Sequence, residues 1–310
     1  MTASLPADIP EAQTPTRPEC PLCAAVGPRR ALQVPSWVVK APPYIQCERC
    51  GIVFHEQPVS ASNRPPLLLE SYMRDATWKL PTNLARLNWL RRHAPVRPGR
   101  AVDIGTKDGT VLKLLADTGW QVSGHDPDQR FHPFAKQMYG VDIRPEWFTA
   151  DVVGPGSLDL VTAYHVLEHI PEPLMWLSEI HKALKPDGVL HIETPNLRLI
   201  EARQLMPGHV VLYTRHTLRQ LLERAGFRVV AMSEFAPGGN RTYDQLAAVA
   251  QRDRPKPVQF TMSRFDRAAQ RYLGRPTPDL PPSPILTIRI YRAVRRRIRR
   301  AFRRACYRAL

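Results

Sequence analysis

Long apolar runs are absent from this 310-residue chain. No stretch reaches the roughly 18 consecutive apolar residues of a membrane-spanning helix, so none is expected. Residues 1–17 lack the basic-then-apolar pattern of a secretory leader, and a cytoplasmic setting is expected. No internal repeat is visible, and the length suits one sizeable domain with accessories. Cysteine is scarce, at five residues, and disulfides do not persist in a reducing compartment. Acids are outnumbered, 28 against 44 lysines and arginines, giving a net charge of +16 and a pI near 10.1. Such an excess implies an anionic partner, nucleic acid or a membrane surface. It concentrates in residues 285–310, which contain no acid at all.

What is present divides the chain. Residues 1–18 are rich in Pro, Ala and Thr and read as disordered. Residues 19–56 hold Cys20-Pro21-Leu22-Cys23 and Cys47-Glu48-Arg49-Cys50. Two such knuckles bring four thiolates around one tetrahedral Zn(II). Four protein ligands leave no open position, so Cys20, Cys23, Cys47 and Cys50 predict a structural zinc ribbon. Two disulfides or a redox pair are the alternatives. Residues 57–82 read as a linker and a helix over the cofactor mouth, 83–252 as the catalytic domain, and 253–282 as a Pro-rich linker. Cys306 reads as an apolar helix residue.

The catalytic domain is organised around Ala101-Val102-Asp103-Ile104-Gly105-Thr106-Lys107-Asp108-Gly109-Thr110. An apolar run breaks at Gly105 and a helical pattern begins after it. Glycines at a strand-to-helix turn let the backbone approach a ligand, and the helix start favours a negative group. A second strand pattern closes on His125-Asp126, where a nucleotide-binding β-α-β unit places its ribose carboxylate. Lys107 stands where a dinucleotide site has a second glycine, which argues against NAD. Alternating strand and helix patterns through Met232 predict a doubly wound α/β sheet.

Two later stretches specify more. Leu158-Asp159-Leu160-Val161-Thr162-Ala163-Tyr164-His165-Val166-Leu167-Glu168-His169 is a strand entering a loop, and Leu184-Lys185-Pro186-Asp187-Gly188-Val189-Leu190 is a turn before another strand. In this order the motifs resemble those of class I S-adenosylmethionine (SAM) dependent methyltransferases, over residues 84–230. The resemblance implies a Rossmann-like seven-stranded sheet and a SAM site. Asp103 would orient the loop, Gly105, Thr106, Lys107 and Gly109 would hold the methionine part, and Asp126 with Pro127 would meet the ribose. Trp147 and Phe148 would flank the adenine; the alternative is that both are core. Ile104 to Thr110 is similar to the Ile-Gly-Ser-Asn-Asp-Gly-Thr run of deoxysugar C-methyltransferases, which also carry an N-terminal zinc module. A lysine at 107 could therefore pair with the SAM carboxylate.

Those relatives place a catalytic histidine in a segment that Gly208-His209-Val210-Val211-Leu212-Tyr213-Thr214 resembles. The upstream tyrosine and histidine of that pattern are missing here, as is the extra C-terminal domain. O-methylation of a sugar or lipid-linked saccharide, with His209 as general base, is the better expectation. His165 and His169, at the carboxyl edge of the fourth strand, compete for the role, and His165 also counts among the cofactor contacts. Glu168 and His169 could instead fix the loop.

Residues 283–310 surround an apolar i, i+4 row (Ile290, Val294, Ile298, Phe302, Cys306, Leu310) with arginine. Such a basic amphipathic helix suits an anionic bilayer surface, here the inner face of the plasma membrane. An RNA-binding arm and docking on the domain are the alternatives. Rival functions are an RNA methyltransferase with a zinc ribbon and a non-catalytic SAM-binding scaffold. Against the first, no Asn-Pro-Pro-Tyr-type motif comes after the fourth strand, where Ala163-Tyr164-His165 stands.

Overall fold

The structure, a computed structural model, describes residues 19–32, 44–55, 76–94, 96–197, 205, 208–234, 245–255, 257–264 and 266–267. Residues 1–18, the segment 235–244 and the arginine tail with Cys306 lie outside the described residues.

Three short strands come first: β1 (Arg29–Leu32), β2 (Tyr44–Cys47) and β3 (Val53–His55). The second cysteine knuckle turns between β2 and β3. Gly51 closes it at φ +82°, a left-handed value that glycine adopts without a Cβ clash, and its amide donates to the Cys47 carbonyl at 2.9 Å. Helix α1 (Ala76–His93) comes next and buries Leu87 and Leu90. This is the described part of the helix expected over the cofactor mouth.

The chain then alternates through β4 (Arg100–Ile104), α2 (Thr110–Ala116), β5 (Gln121–His125), α3 (His132–Tyr139), β6 (Ile143–Arg144), α4 (Ala150–Val153), β7 (Leu158–Tyr164), α5 (Pro173–Ala183) and β8 (Leu184–Pro195). After β8 come β9 (Val211–Leu212), α6 (Arg215–Arg224), β10 (Phe227–Ser233) and β11 (Gln245–Arg252). Helix α6 opens on a reciprocal cap between Thr214 and Thr217, and the chain leaves it through Gly226 at φ +91°.

Seven strands form the main sheet in the order β10-β11-β8-β7-β4-β5-β6. All neighbours from β8 to β6 are parallel, and β11 runs antiparallel to both β8 and β10. Helices cover both faces, which is why β4, β7 and β8 are buried along most of their length. On one face Val102, Val161 and Leu190 pack with Leu177 and Ile180 of α5 and Leu218 and Leu221 of α6. On the other, Ala101, Leu160 and Val189 pack with Leu87, Leu90, Leu114 and Leu115. Neighbouring residues of one strand thus serve opposite layers. This is the expected doubly wound, Rossmann-like class I sheet.

Two features differ from the sequence reading. First, the ribbon does not stand apart. Strand β3 pairs antiparallel with β9, Val53 opposite Leu212 and Phe54 opposite Val211, so one four-stranded sheet, β1-β2-β3-β9, joins ribbon and catalytic domain. Tyr213 bridges onward to Asn196 at the end of β8. Second, part of the stretch read as a Pro-rich linker is folded. Phe260 lies beneath the guanidinium groups of Arg49 and Arg224. Thr261 donates its amide to Gln220 at 2.9 Å, and Asp266 is buried against Gly51. Among the described residues, no helix is long and apolar enough to cross a membrane.

Candidate active site

The turn after β4 has the tight geometry its glycines suggest. Gly105 sits at φ +70°, and a Cβ there would lie 2.4 Å from Val166 Cγ2, inside contact distance. Lys107 is held at φ +48°. The left-handed backbone that the commonest glycine pattern supplies is kept here by a lysine, whose amide donates to Asp126 Oδ2 at 2.8 Å. Gly109, at φ +76°, lets α2 start close to Ala135 and Val141. Thr106 is buried and closes on Gly124, where a Cβ would lie 2.6 Å from its methyl group.

Three carboxylates fix this turn. Asp103 accepts from Thr162 Oγ1 at 2.6 Å, and burial pushes its carboxyl up to about 7 against that bond. Asp108 caps α2 through the Thr110 amide and hydroxyl and pairs with Lys79 of α1 at 3.1 Å. Asp126, also raised by burial, accepts the amides of Lys107 and Asp128 at 2.8 and 2.9 Å. An ionised carboxylate offers about four acceptor sites, so Asp126 retains capacity for two ribose hydroxyls.

Beside the turn opens a cleft lined by Ile104, Gly105, His125, Pro127, Glu146, Trp147, Phe148, Val166 and Trp176. Trp147 is 59% exposed at its rim, whereas Phe148 is buried with its ring edge-on to His125 at 5.6 Å. The two expected alternatives for this pair therefore divide, one residue at the mouth and one in the wall. An apolar slot, an adjacent carboxylate and a backbone that excludes even a methyl group fit an adenosyl ligand. Val166, Glu146 and Trp176 were not singled out from sequence, since nothing in their spacing marks them.

The expected histidines gather at the carboxyl edge. His165 comes directly after β7 at φ +60°, a conformation that costs a non-glycine residue of order 1–3 kcal/mol. Its amide donates to the Glu193 carbonyl at 2.9 Å, and its Nδ1 meets Glu168 Oε1 at 3.2 Å. Glu168 lies on a 3₁₀ turn (Leu167–His169) and is 1% exposed. Burial opposes its charge, yet the bond from His165 and the fields of His165, His169 and His209 hold its carboxyl down, to about 2. His169 donates from Nδ1 to the Gly208 carbonyl at 2.5 Å, and its ring stands 5.0 Å from that of His209. The ribbon reaches the same place. Tyr44 donates to the His209 carbonyl at 2.9 Å, and His55 is 5% exposed with neither ring nitrogen hydrogen-bonded.

The four cysteine sulfurs lie together: Cys20 to Cys50 is 3.6 Å and Cys23 to Cys47 is 3.7 Å. A disulfide would bring sulfurs to about 2.05 Å. A zinc–thiolate tetrahedron with bonds near 2.3 Å has edges of roughly 3.8 Å. The set fits the ion.

A second buried network was not legible from sequence. Arg86 of α1 pairs with Glu193 of β8 through Nη2 at 2.7 Å and Nε at 2.8 Å, and lies over the Tyr164 ring. Tyr164 in turn bonds His191 Nδ1 at 2.8 Å. Burial pulls His191 down to about 3 and, aided by His209, His55 to about 4; His125 is lowered too. Unfolded histidines titrate near 6.5, so the stability these neutral rings contribute is present above that pH. It is lost as pH falls through the folded values. Asp103 and Asp126, raised by burial, act oppositely. The rings of His191 and His55 against the one carboxyl of Asp103 leave a net loss of at most about one proton's worth, on the order of 1.4 kcal/mol per unit before solvent screening of His55. The urea midpoint should therefore fall between pH 6 and pH 5, and an unchanged or rising midpoint would contradict this balance.

Comparison with known proteins agrees with this geometry. A family model described as a methyltransferase domain matches residues 73–232. The ubiquinone biosynthesis O-methyltransferase of Burkholderia vietnamiensis strain G4 is 33% identical over 123 residues, covering 38% of this chain and 53% of that protein. Its namesake in Pseudomonas aeruginosa strain LESB58 is 29% identical over 123 residues, covering 37% and 52%. The chain thus spans about half the length of these relatives. In three dimensions, a chain from the complex of the Haloferax volcanii Trm112 methyltransferase activator with a methyltransferase superposes with a TM-score of 0.50 at 17% identity. It covers 61% of this chain and all of that one, a likeness of fold alone. With the family model spanning more than half of the sequence, the chain belongs to the methyltransferase-domain family and carries its Rossmann-like class I fold.

Proposed function

We propose that this enzyme methylates a hydroxyl oxygen and that His165 is the general base. The observation that carries the reading is the His165–Glu168 pair. A buried ionised carboxylate can only accept, so Glu168 puts the proton of a neutral His165 on Nδ1 and leaves the Nε2 lone pair for a substrate proton. His165 is also part-exposed, its side chain at 34%, and it directly precedes Val166, which lines the cofactor cleft against Gly105. SAM supplies an electrophilic methyl group on a sulfonium. The chain's residues bind it, align the acceptor oxygen and accept the proton as the oxygen–methyl bond forms. His209, buried at 8% exposure, takes a positioning role beside His169. The four ribbon cysteines hold a structural zinc.

O-methylation is supported by the names of the relatives. For the acceptor, the resemblance to deoxysugar methyltransferases and the ribbon's place beside the histidines support a saccharide, free or lipid-linked. In that reading the arginine tail holds the enzyme at an anionic membrane. A phenolic ring hydroxyl is the second reading, favoured by the ubiquinone biosynthesis relatives.

Methyl-labelled SAM supplied with host lysate, fractionated into lipid, polysaccharide, RNA, protein and small-molecule pools, tests the reading. Label in a saccharide-bearing pool, weakened when the chain ends before residue 285, is the expected result. Label in RNA, or in no pool despite normal SAM affinity, would overturn it. Replacing His165 with alanine should lower incorporation by about 10²-fold or more with SAM affinity changed less than about threefold. Near-normal turnover removes His165 from the role.

A further inference from the structure

We propose that Glu168, His169 and His209 form a binding site for one divalent transition-metal ion at the acceptor end of the active site, distinct from the four-cysteine site. One ligand atom from each of the three residues lies within 4.8 Å of the others. Three ligand atoms bonded at about 2.0–2.2 Å to one ion lie roughly 3–3.8 Å from one another, so closure needs side-chain rotations that move these atoms by up to about an ångström. Two imidazoles and one carboxylate, with positions left for solvent or substrate, are a donor set that Fe(II), Mn(II) and Zn(II) accept.

Two further observations point to a polar ligand here. His169 gives its Nδ1 proton to the Gly208 carbonyl, which in the neutral ring places the lone pair on Nε2. Metal-binding histidines are oriented by such an outer bond. Glu168 is likewise held by His165 and by Thr194 Oγ1 at 3.1 Å. Around the cluster, buried polar atoms lack protein partners: both nitrogens of His55 and the Tyr213 hydroxyl. An orphaned buried polar group costs about 1–3 kcal/mol, and an ordered water or a hydrated ion beside the cluster would satisfy these groups.

An ion bound there would favour the ionised form of a coordinated acceptor hydroxyl and hold a neighbouring acceptor oxygen, while His165 receives the proton. This role rests on the O-methylation reading, whereas the existence of the site does not.

Mn(II) alone is the probe, added to the full chain after its thiolate site has been loaded with zinc. Thiolates select zinc over Mn(II), so the loss of the free Mn(II) paramagnetic resonance signal reports on the nitrogen and oxygen site. About one equivalent should bind. His169→Gln and His209→Gln should each weaken binding about tenfold or more, with SAM affinity showing that each variant is folded. No saturable binding below about millimolar Mn(II), or the same affinity in both folded variants, overturns the site. Methyl transfer undiminished by a chelator that strips the Mn(II) would overturn the ion's role while leaving the O-methylation reading in place. Saturable binding lost in the variants, with no label in any hydroxyl-bearing pool, would uphold the site and reject that reading.

Discussion

Replacing Arg86 with alanine should destabilise the protein by about 3–5 kcal/mol, a large share of the total for a domain of this size. The Glu193 side chain is fully buried on β8, and its Oε1 has no hydrogen-bond partner. Removing Arg86 leaves a carboxylate inside a low-dielectric core with its paired charge gone. The same change removes the guanidinium from the face of Tyr164, 4.5 Å from the ring centre, where a desolvated cation–π contact contributes about 2 kcal/mol. The loss should also reach the cofactor. Helix α1 is fastened to the sheet mouth by this pair and to the glycine turn by Lys79 and Asp108, so SAM affinity should fall with stability. Urea unfolding of Arg86→Ala beside an Arg86→Met/Glu193→Leu double variant is the measurement. The double variant removes both charges and should recover most of the loss. If it is as unstable as the single variant, packing rather than the orphaned charge is responsible.

The parts of this molecule that were legible in the sequence are those whose chemistry is local. A glycine turn, an apolar strand and an acid at fixed spacing announce themselves, and Gly105, Gly109, Asp103 and Asp126 meet where the spacing puts them. The cysteine knuckles are similarly local, and their sulfurs converge. The illegible parts depend on distant segments. Arg86 and Glu193 are separated by 107 positions, and neither residue's neighbours mark it as buried. Strand β11, whose first six residues are all buried, is hard to read because Gln-Leu-Ala-Ala-Val-Ala-Gln-Arg has too much alanine for a strand pattern. The histidines are hard to rank for the same reason: resemblance favours His209, while the contact that sets His165 apart, a buried Glu168 at its Nδ1, exists only in the fold.

Exchanging Cys47 for serine should remove the ribbon as a folded unit without dissolving the main sheet. In zinc-finger peptides the binding energy of a four-ligand zinc, on the order of 10–16 kcal/mol at neutral pH, is also the folding energy. The ribbon's own apolar residues (Leu22, Ile45, Ile52, Phe54) form too small a core to replace it. The shared sheet carries the damage to the histidine loop. Strand β9 loses β3, and the Val210 carbonyl loses the His55 amide, which donates at 2.9 Å. The His209 carbonyl loses Tyr44. The loop that carries His209 then keeps its bond to His169 and the Tyr213 bridge to Asn196 but loses its tie to the ribbon sheet. Amide exchange should accelerate in residues 44–55 and 208–213 and remain slow in β4, β7 and β8. SAM affinity should change by less than about threefold, because no ribbon residue lines the cofactor cleft, while methyl transfer should fall below detection. Retained protection at 208–213 would mean the His209 loop does not depend on the ribbon. Lost protection in β4 would mean the ribbon holds up the whole fold, and the separation of cofactor binding from acceptor positioning would fail with it.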